Sequence, residues 1–162
     1  NQSRPFMVRW VGHTGYASKE TEEYHAAAAL LARYGLDKVM SFTGPATCME
    51  EEYRWADCLV HASLQEGMPN AVIEAMACGL PVIVSRVSDL PLVVSAGDNG
   101  FVCNERDPVS IAHAMAAALA LSDDDRIAMG KRSRELAVNW FDRDRFVQQY
   151  EQLYMDILAD FE

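Results

Sequence analysis

One stretch, EGMPNAVIEAMACGLP at residues 66–81, decides the predicted fold. A helix is expected over Pro69–Cys78, because proline is favoured at a helix start and the residues that follow are almost all apolar. Gly79 stands where a left-handed residue commonly ends a helix. The next residues, Pro81–Val84, form a short apolar run that is typical of a buried parallel strand. The stretch therefore predicts a helix that leads into a buried strand.

The same alternation continues outward along the chain. Ser18 is a candidate cap for a helix that ends at Gly35, and an acidic helix is expected around Glu50–Trp55. Alternating strands and helices predict an α/β fold: a doubly wound, Rossmann-like parallel sheet of about five strands, with helices on both faces and a helical C-terminal tail. We interpret residues 1–162 as one domain. The predicted strands are Phe6–Gly12, Lys38–Phe42, Asp57–His61, Pro81–Val84 and Gly100–Cys103, and the later helices are 107–121, one that starts at Ser122 or Asp123, and 142–161.

Composition and charge argue against several classes of partner. The net charge of −10 disfavours nucleic acid, because phosphate contacts need clustered Lys and Arg. No apolar run reaches the roughly 18 residues of a membrane-spanning helix, and no signal-peptide pattern is present. The four cysteines lack CxxC spacing and the four histidines are scattered, so we expect reduced cysteines and no metal site. Three of the cysteines lie within apolar segments, where we expect them to be buried. These observations predict a cytoplasmic protein.

Glu74 is the single charge on the helix that follows Pro69, and its neighbours leave no evident polar face. We therefore expect a buried carboxylate, which is costly unless hydrogen bonds satisfy it. The two vicinal hydroxyls of a ribose are suitable donors. The alternative is structural, with Glu74 in an ion pair with Arg86 or Arg54.

The start of this helix is predicted to bind an anion. A helix that follows a parallel strand points its N-terminus at the carboxyl edge of the sheet, where ligands bind. Its unpaired N–H groups favour a phosphate. Because Pro69 has no N–H, we expect the donors to be Gly67, Met68, Asn70 and Ala71.

Glu66 precedes the helix, on the loop. Its position predicts that Glu66 and Glu74 flank the anion from opposite ends and do not meet as an acid–base pair. We assign Glu66 to the hydroxyls of a transferred sugar, and it is a weak candidate for a nucleophile. A structural alternative stays open here too, since Gly67 and Gly79 could be only a turn and a helix cap.

The segment from Glu66 to Ser85, EGMPNAVIEAMACGLPVIVS, resembles a motif of the family 4 (group 1) retaining glycosyltransferases of GT-B fold. In that family a glutamate, seven residues and a second glutamate stand in the C-terminal half of the enzyme. The resemblance extends over nearly the whole chain. Further segments that match the family are 39–44, 55–57, 62–63, 97–102 and 107–108.

The resemblance implies a role for each matching residue. It implies that Glu74 binds the ribose of a nucleotide, and that Glu66 contacts the donor sugar and is the catalytic residue of this half. The backbone of Gly67, Met68, Pro69 and Asn70 would bind the pyrophosphate. Gly44 and Pro45 would lie near the base.

The chain also departs from the family pattern. Ser88-Asp89 and then Leu92 stand where the family often has two glycines and a glutamate, so contacts that depend on that turn are in doubt. The upstream unit that usually brings an Arg and a Lys to the phosphates lies before Asn1, as does the acceptor domain. We therefore expect the chain to be a piece of a longer protein.

These features together predict an enzyme. We expect the parent protein to transfer a hexose from a nucleotide-diphosphate sugar to an acceptor hydroxyl with retention of configuration, by electrostatic stabilisation and without a metal or other cofactor. Its expected partners are the nucleotide sugar, the missing N-terminal domain and an unidentified acceptor, and peripheral membrane contact through that domain stays open. The isolated chain is expected to be nearly inactive.

Two alternatives to a transferase remain open. One is a GT-B-type sugar-nucleotide epimerase, which would differ in the absent half. The other is a non-catalytic doubly wound binding or signalling module, which would need an acidic cluster where Gly12-His13-Thr14-Gly15 stands. The last predicted helix also has two interpretations. Its apolar residues either pack on their own domain or partly cross to the missing one, and they are Phe146, Tyr150, Leu153, Tyr154 and Ile157.

Overall fold

The computed structural model describes residues 5–16, 19–94 and 98–159. Within it the chain forms two compact units, Asn1–Glu52 and Tyr53–Glu162, and each is described by itself. The assignment of residues 1–162 to one domain stays a prediction.

The first unit is built on a pair of parallel strands, β1 (Val8–Val11) and β4 (Met40–Gly44), with Val8 opposite Met40 and Val11 opposite Gly44. Between them lie two short antiparallel strands that the sequence does not predict, β2 (Gly15–Tyr16) and β3 (Lys19–Glu20).

Helix α1 (Glu22–Tyr34) connects these strands to β4. The predicted cap, Ser18, lies outside the described residues. Thr21 caps the helix, and its hydroxyl accepts from the backbone N–H of Tyr24 at 3.3 Å. Gly35 ends the helix in the left-handed conformation with φ 64°, as predicted.

The second unit contains three parallel strands in the order β5 (Leu59–His61), β6 (Val82–Ser85) and β7 (Gly100–Cys103). All four residues of the central strand, β6, are buried, as expected for a parallel strand covered on both faces. At the carboxyl ends His61 pairs with Val84 and Ser85 with Cys103. The predicted α/β class with parallel strands is confirmed, and the five parallel strands are grouped as two and three.

Helices α3 (Asn70–Ala77) and α5 (Pro108–Leu119) cover the three-stranded sheet. Ile83 and Cys103 pack with Ala114 of α5, whereas α3 contacts β5 and β6 and buries its own apolar side. The predicted starts of α5 at Asp107 and of α6 at Ser122 are confirmed, and each of these residues is the N-cap of its helix. The remaining helices are α2 (Met49–Trp55), in which the boundary between the units falls, the short α4 (Leu90–Val93), which was not predicted, α6 (Asp123–Phe141) and α7 (Arg143–Ala159).

Helix α7 buries none of its residues against the described part of the chain. Of its two interpretations, packing on its own domain is therefore wrong. Its aromatic rings contact each other along the helix, with centroids 4.6 Å apart for Phe146 and Tyr150 and 6.4 Å apart for Tyr150 and Tyr154. The predicted end of this helix, Phe161, is not among the described residues. No helix in the described ranges is both long enough and apolar enough to cross a bilayer.

Candidate functional site

The loop from β5 to α3 brings the predicted site residues of the second unit together. It starts after His61 at the carboxyl end of the sheet and ends at Pro69, which is the N-cap of α3 and provides no side-chain cap. The first helical N–H to find a partner is that of Val72, which donates to the Pro69 carbonyl at 3.1 Å. Among the described residues the N–H groups of Asn70 and Ala71 have no such partner, so this helix end can accept an anion.

Gly67 lies on this loop with open space beside it. A Cβ placed on Gly67 would meet no atom within 4 Å, and its φ is not in the left-handed region. The backbone conformation therefore does not require glycine. The open space beside Gly67 is compatible with the predicted close approach of a phosphate, which stays a prediction.

The expectation that Glu74 is buried is wrong. Asn70, Glu74 and Cys78 are all exposed, and their spacing of four residues puts them on one side of α3. The opposite side, which includes Val72, Ala75 and Met76, is buried. The helix therefore does have a polar side. The sequence does not reveal it, because alanines and a cysteine near Glu74 make the helix apolar in composition.

Glu74 is held by a neutral donor. The Tyr53 hydroxyl donates to Glu74 Oε2 at 2.9 Å, and Tyr53 is only 5% exposed. Burial, then the hydrogen bond and charge of Glu74, raise the pKa of Tyr53 well above its ordinary value, so the phenol keeps its proton. Within the described part of the chain Glu74 has no ion pair, and the alternative of a salt bridge to Arg86 or Arg54 is not found.

Glu66 accepts two hydrogen bonds on the same oxygen. The Ser63 hydroxyl donates to Oε1 at 2.6 Å, and His61 Nε2 lies 2.9 Å from it. The bond from Ser63, then that from His61, lowers the pKa of Glu66, so its carboxyl is ionised at neutral pH. The side chain is 27% exposed, which leaves it accessible to a ligand.

A second layer supports this carboxylate. Ser85, fully buried at the end of β6, donates its hydroxyl to the Ser63 carbonyl at 2.6 Å. The loop is thereby attached to the central strand. The sequence did not predict site roles for Tyr53, His61, Ser63 and Ser85. Two of them, His61 and Ser85, are polar residues that end apolar strands, and this signal could have indicated them.

Gly44 and Pro45 belong to the first unit. Gly44 ends β4 with φ 74°, and the residues after it line a pocket of about 220 Å³ together with Glu51 and Glu52. Their predicted place near the base stays a prediction. The described residues contain no group of three His, Cys, Asp or Glu side chains with the geometry of a metal site.

The parallel sheet, its helices and the spaced pair of glutamates define the class of protein: a domain of a GT-B-fold glycosyltransferase. Solved structures of this class match the chain. Sucrose-phosphate synthase of Thermosynechococcus elongatus has a TM-score of 0.79 at 26% identity, over 96% of this chain and 39% of that one. HepE of Anabaena, solved with UDP, has a TM-score of 0.83 at 20% identity, over 96% and 42%, and this likeness concerns the fold.

The chain belongs to the family "Glycosyl transferases group 1", whose model matches residues 2–121. Similar curated proteins include N-acetyl-alpha-D-glucosaminyl L-malate synthase of Bacillus anthracis, 34% identical over 76% of this chain and 32% of that protein. Another is D-inositol 3-phosphate glycosyltransferase of Corynebacterium glutamicum, 37% identical over 78% of this chain and 30% of that protein. The predicted group 1 membership is confirmed, and the chain spans about a third of the length of these relatives.

Proposed function

We propose that this chain binds the donor nucleotide sugar of a glycosyltransferase whose full-length form transfers a hexose to an acceptor hydroxyl with retention of configuration. The observation that carries the proposal is the arrangement around α3. Glu66 precedes and Glu74 follows, along the chain, a helix start that has no side-chain cap, and each carboxylate is held through one oxygen. The other oxygen of each is left for a ligand.

Each residue has a chemical role in this proposal. Glu74 accepts from the hydroxyls of the ribose, and the backbone from Gly67 to Asn70 donates to the pyrophosphate. Glu66 accepts hydrogen bonds from hydroxyls of the donor sugar. Its negative charge stabilises the positive charge that develops on that sugar as the diphosphate leaves. Gly44 and Pro45 lie near the base.

The proposal includes neutralisation of the leaving diphosphate by the helix end and by basic groups, with no metal or other cofactor. The proposal leaves the acceptor unidentified and assigns the enzyme to the cytoplasm. Family membership supports the proposal, as do HepE structures with UDP and with UDP-glucose, which are structural neighbours of the chain.

Calorimetric titration of the chain with UDP and with GDP tests the nucleotide site. We expect a millimolar dissociation constant for one of them, which corresponds to about 4 kcal/mol of binding free energy. Glu74→Ala should weaken that binding at least roughly fivefold, because it removes the ribose acceptor. Glu151→Ala, which removes an exposed carboxylate from α7, is the matched control. A folded chain that binds neither nucleotide contradicts the proposal.

A further inference from the structure

The network that holds Glu66 is asymmetric. Ser63 and His61 both bind Oε1, and no hydrogen bond from another described residue reaches Oε2. A carboxylate can accept on both oxygens, so Oε2 keeps its full acceptor capacity while Oε1 holds both donors. The arrangement restrains the rotation of the carboxyl group and leaves its second oxygen without a described hydrogen-bond partner.

The available protons determine the direction of the two hydrogen bonds to Glu66. The lowered pKa keeps Glu66 ionised, so Oε1 only accepts. The single hydroxyl proton of Ser63 goes to Oε1 at 2.6 Å, and His61 must carry a proton on Nε2 to donate across 2.9 Å. The remaining contact, 3.2 Å between Ser63 Oγ and His61 Nε2, links the two donors to each other.

Both donors are fixed to the sheet. His61 is the last residue of β5 and pairs with Val84 of the central strand. Ser63 is attached to the same strand through its carbonyl, which accepts from the buried Ser85 hydroxyl. A site built on strand ends in this way keeps its geometry more precisely than one built on a loop alone.

We infer that His61 and Ser63 are positioning residues, which hold Glu66 through Oε1 so that Oε2 faces the sugar of the bound donor. The inference rests on the proposed function, because it needs the sugar to lie at Glu66. Neither residue contacts the sugar in this account. They act through the carboxylate, and Ser85 acts through Ser63.

The first test follows the carboxylate without a ligand. Titration of the Glu66 carboxyl carbon by NMR should show a pKa below the ordinary value in the unsubstituted chain. Ser63→Ala and His61→Leu should each move that pKa upward, because each removes a donor to the ionised form. Ser63→Thr keeps a hydroxyl and should restore the lowered value. A pKa that does not respond to either loss overturns the network.

The second test measures the sugar contact. The readout is the ratio of two dissociation constants, that of the nucleoside diphosphate which the chain binds (UDP or GDP) and that of its glucose conjugate. A change in this ratio between variants reports the sugar contact. Glu66→Gln should reduce the ratio, and Ser63→Ala and His61→Leu should each reduce it by roughly fivefold while the affinity for the nucleoside diphosphate stays unchanged. Ser63→Thr should retain it. Ser110→Ala, which removes a hydroxyl from α5 that also takes part in a hydrogen bond, is the matched control.

The outcomes separate the two proposals. If Glu66→Gln lowers the ratio but Ser63→Ala and His61→Leu do not, the positioning inference fails and the proposed function stands. If Glu66→Gln leaves the ratio unchanged, or the unsubstituted chain does not distinguish the glucose conjugate from the nucleoside diphosphate that it binds, the role of Glu66 fails and this inference fails with it.

Discussion

The Tyr53 hydroxyl donates a hydrogen bond to Oε2 of Glu74 across 2.9 Å and thereby connects the end of α2 to the exposed side of α3. The donor is buried and the acceptor is not. The bond therefore anchors an exposed carboxylate to a rigid part of the unit. Since its donor is neutral, it fixes the direction of the Glu74 side chain without neutralising its charge.

Removing this anchor should weaken nucleotide binding. Tyr53→Phe keeps the ring and deletes only the hydroxyl, so Glu74 gains freedom that it must lose again when it binds a ribose. We expect affinity for UDP or GDP, whichever the chain binds, to fall roughly three- to tenfold by calorimetry. Tyr150→Phe, an exposed tyrosine of α7, is the control and should bind as the unsubstituted chain does. Equal affinity of the Tyr53→Phe chain would contradict the anchoring role.

A methyl group at Gly67 should separate ligand binding from folding. Gly67→Ala meets no protein atom within 4 Å, so its melting temperature should not fall below that of the parent. Nucleotide affinity should fall by about tenfold or more if the pyrophosphate approaches the backbone of Gly67 as proposed, because the added methyl would hinder that approach. Calorimetry and a thermal melt of the same sample check both parts. A variant that folds and binds the nucleotide as the parent does would contradict binding of the pyrophosphate at Gly67.

Much of the second unit follows from local rules in the sequence. The caps at Asp107 and Ser122 and the strand Gly100–Cys103 depend on residues that lie next to each other, and all are found. The exposure of Glu74 was not predictable in the same way. It depends on which side of α3 contacts β5, β6 and α6, and a helix rich in small residues does not reveal that side.

The hydrogen bond to Glu74 and the one that supports Ser63 were also beyond the sequence. Tyr53 lies 21 positions from Glu74 and Ser85 lies 22 from Ser63, so only the tertiary fold brings them together. Helix α7 presents a different difficulty. Its apolar spacing predicts a packing partner but does not identify the surface that provides it. Periodicity gives the contacting side of an element and leaves its partner undefined.

The ionised Glu66 should make a contribution to stability that depends on pH. Its pKa is lowered by folding, so the contribution is present above the pKa of the unfolded chain and is lost as the pH falls through the folded value. The free energy of unfolding in urea should therefore be higher for the parent than for Glu66→Gln at pH 7. The difference should shrink below about pH 4.5. Glu151→Gln, on α7, should show no comparable trend, and a constant difference for Glu66→Gln would contradict the network.

The four cysteines should react with thiol reagents at two distinct rates. Cys48 and Cys78 are exposed, whereas Cys103 is buried and Cys58 partly so. Burial, and then the charge of Asp57, raise the pKa of Cys58 to about 12, and burial is also the main cause that raises the pKa of Cys103. At pH 8 we expect two fast equivalents, and full reaction only in denaturant.

Single variants assign these rates. Cys48→Ser and Cys78→Ser should each remove one fast equivalent, and Cys58→Ser should remove none. The exposure of Cys78 corrects the expectation that cysteines within apolar segments are buried, because Cys78 lies on the same side of α3 as Glu74. Four equal rates in the folded chain would contradict the described burial.

Gly130 should be intolerant of alanine although it lies within α6. A Cβ at Gly130 would overlap the carbonyl oxygen of Gly79, where the end of α3 passes close to α6. Alanine normally stabilises a helix relative to glycine by about 1 kcal/mol. Here we expect a loss of about 1–3 kcal/mol in the free energy of unfolding, measured in urea. Asn139→Ala, at an exposed position of the same helix, should change it by less than about 0.5 kcal/mol, and a stabilised Gly130→Ala would contradict the close approach.

The exposure of Glu74 also changes how the nucleotide would be recognised. A carboxylate in contact with solvent stays hydrated until a ligand arrives. Each hydroxyl that donates a hydrogen bond to the carboxylate therefore replaces a water molecule that was already bound to it. The net gain from that exchange is only about 1 kcal/mol. The ribose contact would then serve mainly to orient the nucleoside and to reject ligands without a matching pair of hydroxyls, while the charged diphosphate would contribute a larger share of the binding free energy.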